Sequence, residues 1–213
     1  RVASGSLFFA LKGERFDGNA FARQALNDGC AYAIVDDPAL GGDARLLHVD
    51  SALDALQDLA RMHRERLRTP IVGITGTNGK TTTKELVAAV LARRLRTLCT
   101  EGNLNNHIGV PLTLLRLTKG HEVAIVEMGA NHPGEIRDLC AIARPDCGLI
   151  TNVGRAHLEG FGSFEGVVRT KGELYDCLRA TGGRIFLDED NEHLTAMAVG
   201  ADCVGYGNTM RPM

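Results

Sequence analysis

The sequence predicts an α/β fold, with a small N-terminal α/β unit followed by a larger unit built on a parallel sheet. Three observations predict it. Short apolar runs of strand length alternate with longer amphipathic stretches, the pattern that lays consecutive strands side by side with helices between them. A glycine-rich turn, residues 76–79, stands where one such strand hands over to a helix. The 25 glycines, set against 5% aromatics and no tryptophan, suit tight turns and close backbone approaches rather than a core of stacked rings.

Arg1 is not a natural start, and more chain is expected upstream. An apolar strand, 7–11, comes first, then a glycine-bearing loop from Lys12 to Gly18, a short helix over 20–26, and strands at 31–35 and 46–49. Ser51 with Asp54 in the first turn opens a helix. Its apolar positions Leu53, Leu56, Leu59 and Met62 lead into a basic end, 61–68. Thr69-Pro70 stops that helix, which sets the expected domains at 1–69 and 70–213.

The second domain opens on strand 71–75, the glycine turn, and an amphipathic helix through Leu86, Val87, Val90 and Leu91 that ends in Arg93, Arg94 and Arg96. Helices near 108–117 and 134–143 each precede an apolar strand, 123–128 and 148–153. Ser163 caps a further helix to about Leu178, with Gly166 and Gly172 weakening it. A short strand at 184–187 follows, and no finishing element is evident after it.

Composition narrows the function. With 213 residues, 44% hydrophobic and 23% charged, the chain can bury a core and is not a disordered tail. A net charge of -2 supplies no basic field, which weighs against nucleic acid as a partner. No run approaches the roughly 20 apolar residues of a membrane span, and the start lacks a signal-peptide layout. A cytoplasmic protein with no membrane partner is expected, and a monomer. Its six cysteines are scattered without a Cys-x-x-Cys pair, which suits reduced, mostly buried thiols.

Gly76-Thr77-Asn78-Gly79-Lys80-Thr81 carries the chemistry. Glycines let backbone N–H groups converge on phosphate oxygens, and the helix N-terminus favours negative charge there. Lys80 can neutralise the terminal phosphates and the Thr81 hydroxyl can bind Mg2+, so ATP or GTP use is expected of a P-loop-type ATPase domain. The spacing is a variant one, because Ile74 stands where the strict G-x-x-x-x-G-K-[ST] pattern has its first glycine.

Glu127 ends an apolar strand, and in a parallel sheet it emerges at the edge that carries the phosphate loop, where a hard carboxylate suits Mg2+. His157 follows the strand at 148–153 and reaches the same edge, as a metal ligand, as a group orienting the metal shell or substrate, or as a structural histidine. Lys171 falls inside the apolar stripe of Phe164, Val167, Val168, Leu174, Tyr175 and Leu178. Facing inward, it is either a desolvated amine fit for covalent chemistry or a snorkelling lysine with its head in water.

These residues resemble the Mur ligases, the amide-forming enzymes of peptidoglycan precursor synthesis. The resemblance is carried by residues 76–82, by Gly102-Asn103-Leu104-Asn105-Asn106-His107, by Glu127-Met128-Gly129-Ala130-Asn131-His132, by residues 151–159, and by Leu7 to Gly18. The pattern is similar to the branch whose incoming amine is D-alanyl-D-alanine. It implies ATP and Mg2+ as cofactors, with a UDP-N-acetylmuramoyl tripeptide and D-Ala-D-Ala as substrates. It further implies an acyl-phosphate intermediate and an ADP-forming carbon–nitrogen ligase.

On that resemblance Gly76, Thr77, Asn78, Gly79, Lys80, Thr81, Thr82 and Asn106 bind the nucleotide, and Lys80, His157 and Lys171 serve catalysis. Thr81, Glu127, His157 and a carbamoylated Lys171 hold metal. Asn103 and Asn105 meet substrate, a role that tight turning by the same asparagines rivals. Lys12, Phe16 and Asp17 meet the diphosphate, uracil and uridine, or else belong to an ordinary surface loop. Asp188 replaces the asparagine expected to contact adenine, with Asn191 as a candidate substitute. The family has three domains, of which this chain would hold most of the first, part of the second and none of the third. A sibling ligase, folylpolyglutamate synthase, or a nucleotide-binding module without turnover are the alternatives.

Overall fold

A computed structural model describes residues 3–154 and 158–208, the side chains of residues 158 and 159 excepted. The chain packs as two compact units, Arg1–Leu59 and Ala60–Met213.

The first unit contains β1 (Leu7–Phe9), β2 (Lys12–Gly13), β3 (Phe16–Asp17), α1 (Ala22–Asn27), β4 (Tyr32–Val35), β5 (Leu46–His48) and the start of α2 (Ala52–Leu67). β1, β4 and β5 form a parallel three-stranded sheet in the order β1-β4-β5. The expected strand 7–11 stops at Phe9, since the chain then turns into the β2–β3 hairpin. Ala10, Ala22, Ala25, Leu26, Cys30, Ala33, Val35 and Leu46 form its core.

The buried face of α2 is Ala52, Leu56, Ala60 and Arg64, so of the expected stripe Leu56 alone is fully buried, while Leu59 is 37% and Met62 57% exposed. Residues at every fourth position share one face of the helix, and Arg64 closes the row by donating to Ala143 O, Arg144 O and Asp146 Oδ2. Those bonds give the last turns of α2 to the second unit. The packing therefore divides at residues 59 and 60, ten residues before the proline stop at Thr69-Pro70.

The second unit runs β6 (Ile71–Thr75), α3 (Lys80–Leu91), β7 (Thr97–Cys99), α4 (Gly109–Leu115), β8 (Val123–Glu127), α5 (Glu135–Ala143) and β9 (Cys147–Ile150). It continues through α6 (Leu158–Phe161), α7 (Phe164–Thr181), β10 (Arg184–Asp188), α8 (Glu192–Met197) and β11 (Asp202–Tyr206). Six parallel strands lie in the order β11-β10-β9-β6-β8-β7. The finishing element thought absent is β11, paired along its whole length with β10. Strand alternation sends Val72, Ile74, Val123 and Ile125 to the face covered by Val87, Ala88 and Leu91 of α3. Ile71, Ala124 and Val126 face the opposite layer, with residues of α4, α5 and α7. Of the expected α3 stripe only Val87 and Leu91 are partly buried, for Leu86 and Val90 are 64% and 70% exposed.

The chain passes from β6 to β7 and β8 on one side, then crosses to β9 on the other. Carboxyl ends of β6, β8 and β9 therefore meet at a switch point, where open α/β sheets hold ligands. The register aligns Ile74 with Glu127 and Thr75 with Ile150, so the next residues of all three strands open on one rim.

Candidate active site

The glycine turn leaves β6 at Gly76, whose φ of +140° and packing both require glycine. A Cβ there would lie 2.1 Å from Thr151 Oγ1. The segment after β9 holds the first half of the turn: Thr77 N donates to Asn152 O at 3.0 Å and Asn78 N to Asn152 Oδ1 at 3.1 Å. Asn152 Nδ2 and Thr151 Oγ1 both donate to Asn78 O, at 3.0 and 2.6 Å. Gly154 N donates to Thr77 Oγ1 at 2.9 Å. The second half is the mouth of α3, which begins at Gly79 with no side-chain cap. The first-turn amides thus form the anion-facing part of the loop.

Lys80 folds back over this turn, its Nζ donating to Gly76 O at 2.9 Å and Thr77 O at 3.1 Å. Burial lowers its pKa, with the Glu127 charge opposing. Glu127, 1% exposed at the end of β8, accepts from Thr81 Oγ1 at 3.0 Å and from Asn105 Nδ2 at 2.8 Å. A carboxylate so buried is stable only with such donors. Thr82 is exposed one residue further along.

Lys171 on α7 is 3% exposed. Its Nζ donates to Ala130 O at 3.3 Å and stands 5.3 Å from the centre of the Phe161 ring. Burial, then the charge of Lys80, lowers its pKa to about 8 against the opposing pull of Glu135 and Glu173. The lysine is therefore desolvated, and no snorkelling head reaches water. Around it, Glu173 accepts from Gly134 N and Arg137 N, both at 2.8 Å, which caps α5 from α7 and fixes the loop that carries Ala130.

Residues 74–209 match the profile of the Mur ligase middle domain, and residues 1–64 that of the Mur ligase family, catalytic domain. The chain belongs to the Mur ligase family. It is 44% identical over 199 residues to the UDP-N-acetylmuramoyl-tripeptide--D-alanyl-D-alanine ligase of Escherichia coli (strain K12), an alignment covering 93% of this chain and 44% of that protein. The enzyme of the same name from Bacillus subtilis (strain 168) is 42% identical, covering 86% and 41%. A MurF ligase from Thermotoga maritima in complex with ADP superposes with a TM-score of 0.90 at 36% identity, covering 98% of this chain and 48% of that one. The chain spans less than half the length of these relatives.

Within this Mur ligase chain the structure brings together Gly76, Thr77, Asn78, Gly79, Lys80, Thr81, Glu127 and Asn105. Lys171 stands close enough for the Lys80 charge to act on it. Asn106 Oδ1 caps α4, accepting from Ile108 N and Gly109 N, and Asn103 is exposed. Of the asparagine cluster, the Asn105 side chain reaches Glu127 while Asn106 takes the turning role. His157 lies outside the described residues. Among the described residues no group of three or more His, Cys, Asp or Glu could hold a metal by itself. Asn191 caps α8, and Asp188 Oδ1 accepts from Asp190 N.

In the first unit Lys12 pairs with Asp36 at 2.9 Å, and Asn19 Nδ2 bridges Asp17 and Asp36, 2.8 Å from each. Hydrogen bonds from Asn19 and Lys12 hold Asp36 at a pKa of about 2. Phe16 presents a ring 59% exposed beside this network. Sequence reasoning missed the clamp made by Thr151 and Asn152 and the bracing by Glu173. The first pair closes across more than 70 residues and leaves no local signal. The one available sign was that the chain after β9 reaches the same rim.

Proposed function

We propose that this chain is the nucleotide- and UDP-sugar-binding part of an ATP-dependent, ADP-forming amide ligase of the cytoplasm. The enzyme joins D-alanyl-D-alanine to UDP-N-acetylmuramoyl-tripeptide. The carrying observation is the contact of Thr81 with Glu127 at the mouth of an uncapped helix, directly beside the glycine turn. The ligases named above support the choice of substrates.

In this reading the tripeptide carboxylate attacks the γ-phosphorus of ATP, giving an acyl phosphate and ADP. The amine of D-Ala-D-Ala then attacks the acyl carbon and expels phosphate as the amide forms. Both steps crowd anions together, and positioning with charge neutralisation supplies the catalysis. The α3 amides and Lys80 hold the terminal phosphates once Lys80 exchanges its carbonyl partners for phosphate oxygens. Lys171 supplies a second cation near the transferred group. As a neutral amine it can instead add CO2, losing one proton, to become a carbamate.

Mg2+ fits the residues present, since the Thr81 hydroxyl and the Glu127 carboxylate are hard oxygen donors 3.0 Å apart. Those two residues, with His157 and the Lys171 carbamate, would hold it, and it would supply charge neutralisation at the phosphates. In the first unit, Phe16 offers a face for uracil and Lys12 a cation for the diphosphate.

No helix among the described residues is long and apolar enough to cross a membrane, in keeping with soluble substrates. The test is titration of the 213-residue chain with a non-hydrolysable ATP analogue and with UDP-N-acetylmuramoyl-tripeptide. Binding of both is expected, and absence of triphosphate affinity overturns the proposal. In protein of the relatives' full length, ADP release should require the tripeptide and D-Ala-D-Ala together.

A further inference from the structure

Away from the rim, α5 and α7 pack against each other, and their seam holds a feature that the ligase reading does not use. Cys140 of α5 and Cys177 of α7 line one cavity of about 360 Å³ with Arg61, Glu65 and Arg144. Cys140 is 2% exposed and packs its sulfur 3.8 Å from Met128 Sδ, whereas Cys177 is only half-buried. All six cysteines are free thiols, and the packing of α5 against α7 brings these two to the same cavity. One thiol is thus open to solutes through the cavity while the other waits behind it, the arrangement of an attacking and a resolving cysteine.

We propose that Cys140 and Cys177 form a dithiol modification site that takes low-molecular-weight disulfides and closes to an intrachain disulfide joining α5 to α7. The Cys177 thiolate attacks one sulfur of the oxidant RSSR, forming a mixed disulfide and expelling RS⁻. Cys140 then loses its proton and attacks Cys177 Sγ, expelling a second RS⁻. One of the two RS⁻ takes the proton released by Cys140, and the other takes one from solvent. Overall, two protein thiols and RSSR become one protein disulfide and two RSH. The oxidant is reduced by two electrons and the protein is oxidised by the same two.

The electrostatics agree with these roles. The neighbouring Cys140 thiol, helped by Arg144 and opposed by burial, lowers the pKa of the Cys177 thiol. The nearness of Cys177, then burial, pushes Cys140 up, and the charges of Cys177 and Glu173 add to this. Arg61, Glu65 and Arg144 line the same cavity. By contrast, burial pushes Cys99 and Cys147 above the ordinary thiol value of 9.0. The site also bears on α7 itself. Cys177 lies six residues beyond Lys171, about 9 Å along the helix, and the two helices are already joined near Lys171 through Glu173.

Oxidised glutathione serves as the probe, on the full chain at pH 7. Unreduced digestion should yield a Cys140–Cys177 linked peptide, and Cys140→Ser should instead retain glutathione on Cys177. In the unmodified protein, iodoacetamide should label Cys177 at least tenfold faster than the comparably half-buried Cys99, a comparison that needs no variant. Labelling of Cys177 no faster than Cys99 overturns the proposal, as does a stable mixed disulfide on the unmodified chain with no linked peptide. Neither result bears on nucleotide binding, so this site and the ligase reading stand or fall separately.

Discussion

Replacing Lys171 by methionine should stabilise the fold at neutral pH. An unfolded chain holds the Lys171 proton up to its ordinary pKa of 10.5, while the folded chain releases it at about 8. Between those values the unfolded state binds more protons, so stability rises with pH across that window. Below about pH 8 the whole penalty is present. The interval corresponds to about 3 kcal/mol at pH 7, using about 1.4 kcal/mol for each tenfold change in proton affinity. Methionine keeps the stem and removes the charge. Against this gain stands the bond to Ala130 O, about 1 kcal/mol, and the contact with the Phe161 ring, about 0.5–1 kcal/mol. A net gain of about 1–2 kcal/mol at pH 7 remains, and it should vanish by about pH 10. Urea unfolding of both proteins at pH 7 and pH 10, in CO2-free buffer so that the amine stays unmodified, measures it. The difference between the proteins cancels every titrating group except Lys80, Glu135 and Glu173, whose charges act on Lys171. A methionine variant less stable at pH 7, or a difference between the two that does not change with pH, refutes the reasoning.

Four further outcomes follow from the rim. Gly76→Ala should cost about 2–3 kcal/mol in urea unfolding, because its φ of +140° is nearly glycine-only and its Cβ would meet Thr151. Gly79→Ala, at φ +77° in open space, should cost about 1–2 kcal/mol. Glu127→Gln keeps an acceptor for Thr81 but loses the charge. The strengthening of ATP-analogue binding by Mg2+ should fall about tenfold, read as the ratio of Kd with and without the ion. Asn152→Ala removes two bonds to Asn78 on the exposed side of the turn. Stability should change by about 1 kcal/mol, while analogue affinity, measured by calorimetry, falls about tenfold.

The β6 turn and α7 were legible because each announces itself within a few residues. A strand, two glycines and a helix make the first. Ser163, whose Oγ accepts from Gly166 N as a cap should, and an apolar stripe make the second. The two glycines that argued against α7 are there for packing, since a Cβ at Gly166 would lie 2.1 Å from Phe161 O and one at Gly172 2.8 Å from Met197 Sδ. β7 is three residues long, and β11 is held by its partner β10 rather than by its own pattern, so neither carried a signal of its own. Leu86 and Val90 misled because apolar spacing states which face could be buried, not whether anything covers it. In the site, residue types at strand ends were readable. The meeting of Thr81 with Glu127 was readable too, since a parallel sheet brings both to one edge, whereas the pairing of Asn78 with Asn152 depends on strand order, which periodicity does not encode.

The resting rim is already satisfied by its own atoms, which determines how a nucleotide must enter. Lys80 has two carbonyl partners, Glu127 two side-chain donors, and the first half of the turn is committed to Asn152. Binding therefore works by exchange rather than by filling. Phosphate oxygens replace Gly76 O and Thr77 O at the ammonium, while the uncapped α3 amides gain partners without losing any. An ammonium whose pKa burial has lowered is stabilised more by an arriving anion than one in water, so the desolvation at Lys80 favours phosphate over neutral ligands. The bonds from Asn152 can persist throughout, because they engage Thr77 and Asn78, ahead of the first turn of α3. The turn can then hold its shape while the charged groups change partners, which is the separation of duties that positioning catalysis requires.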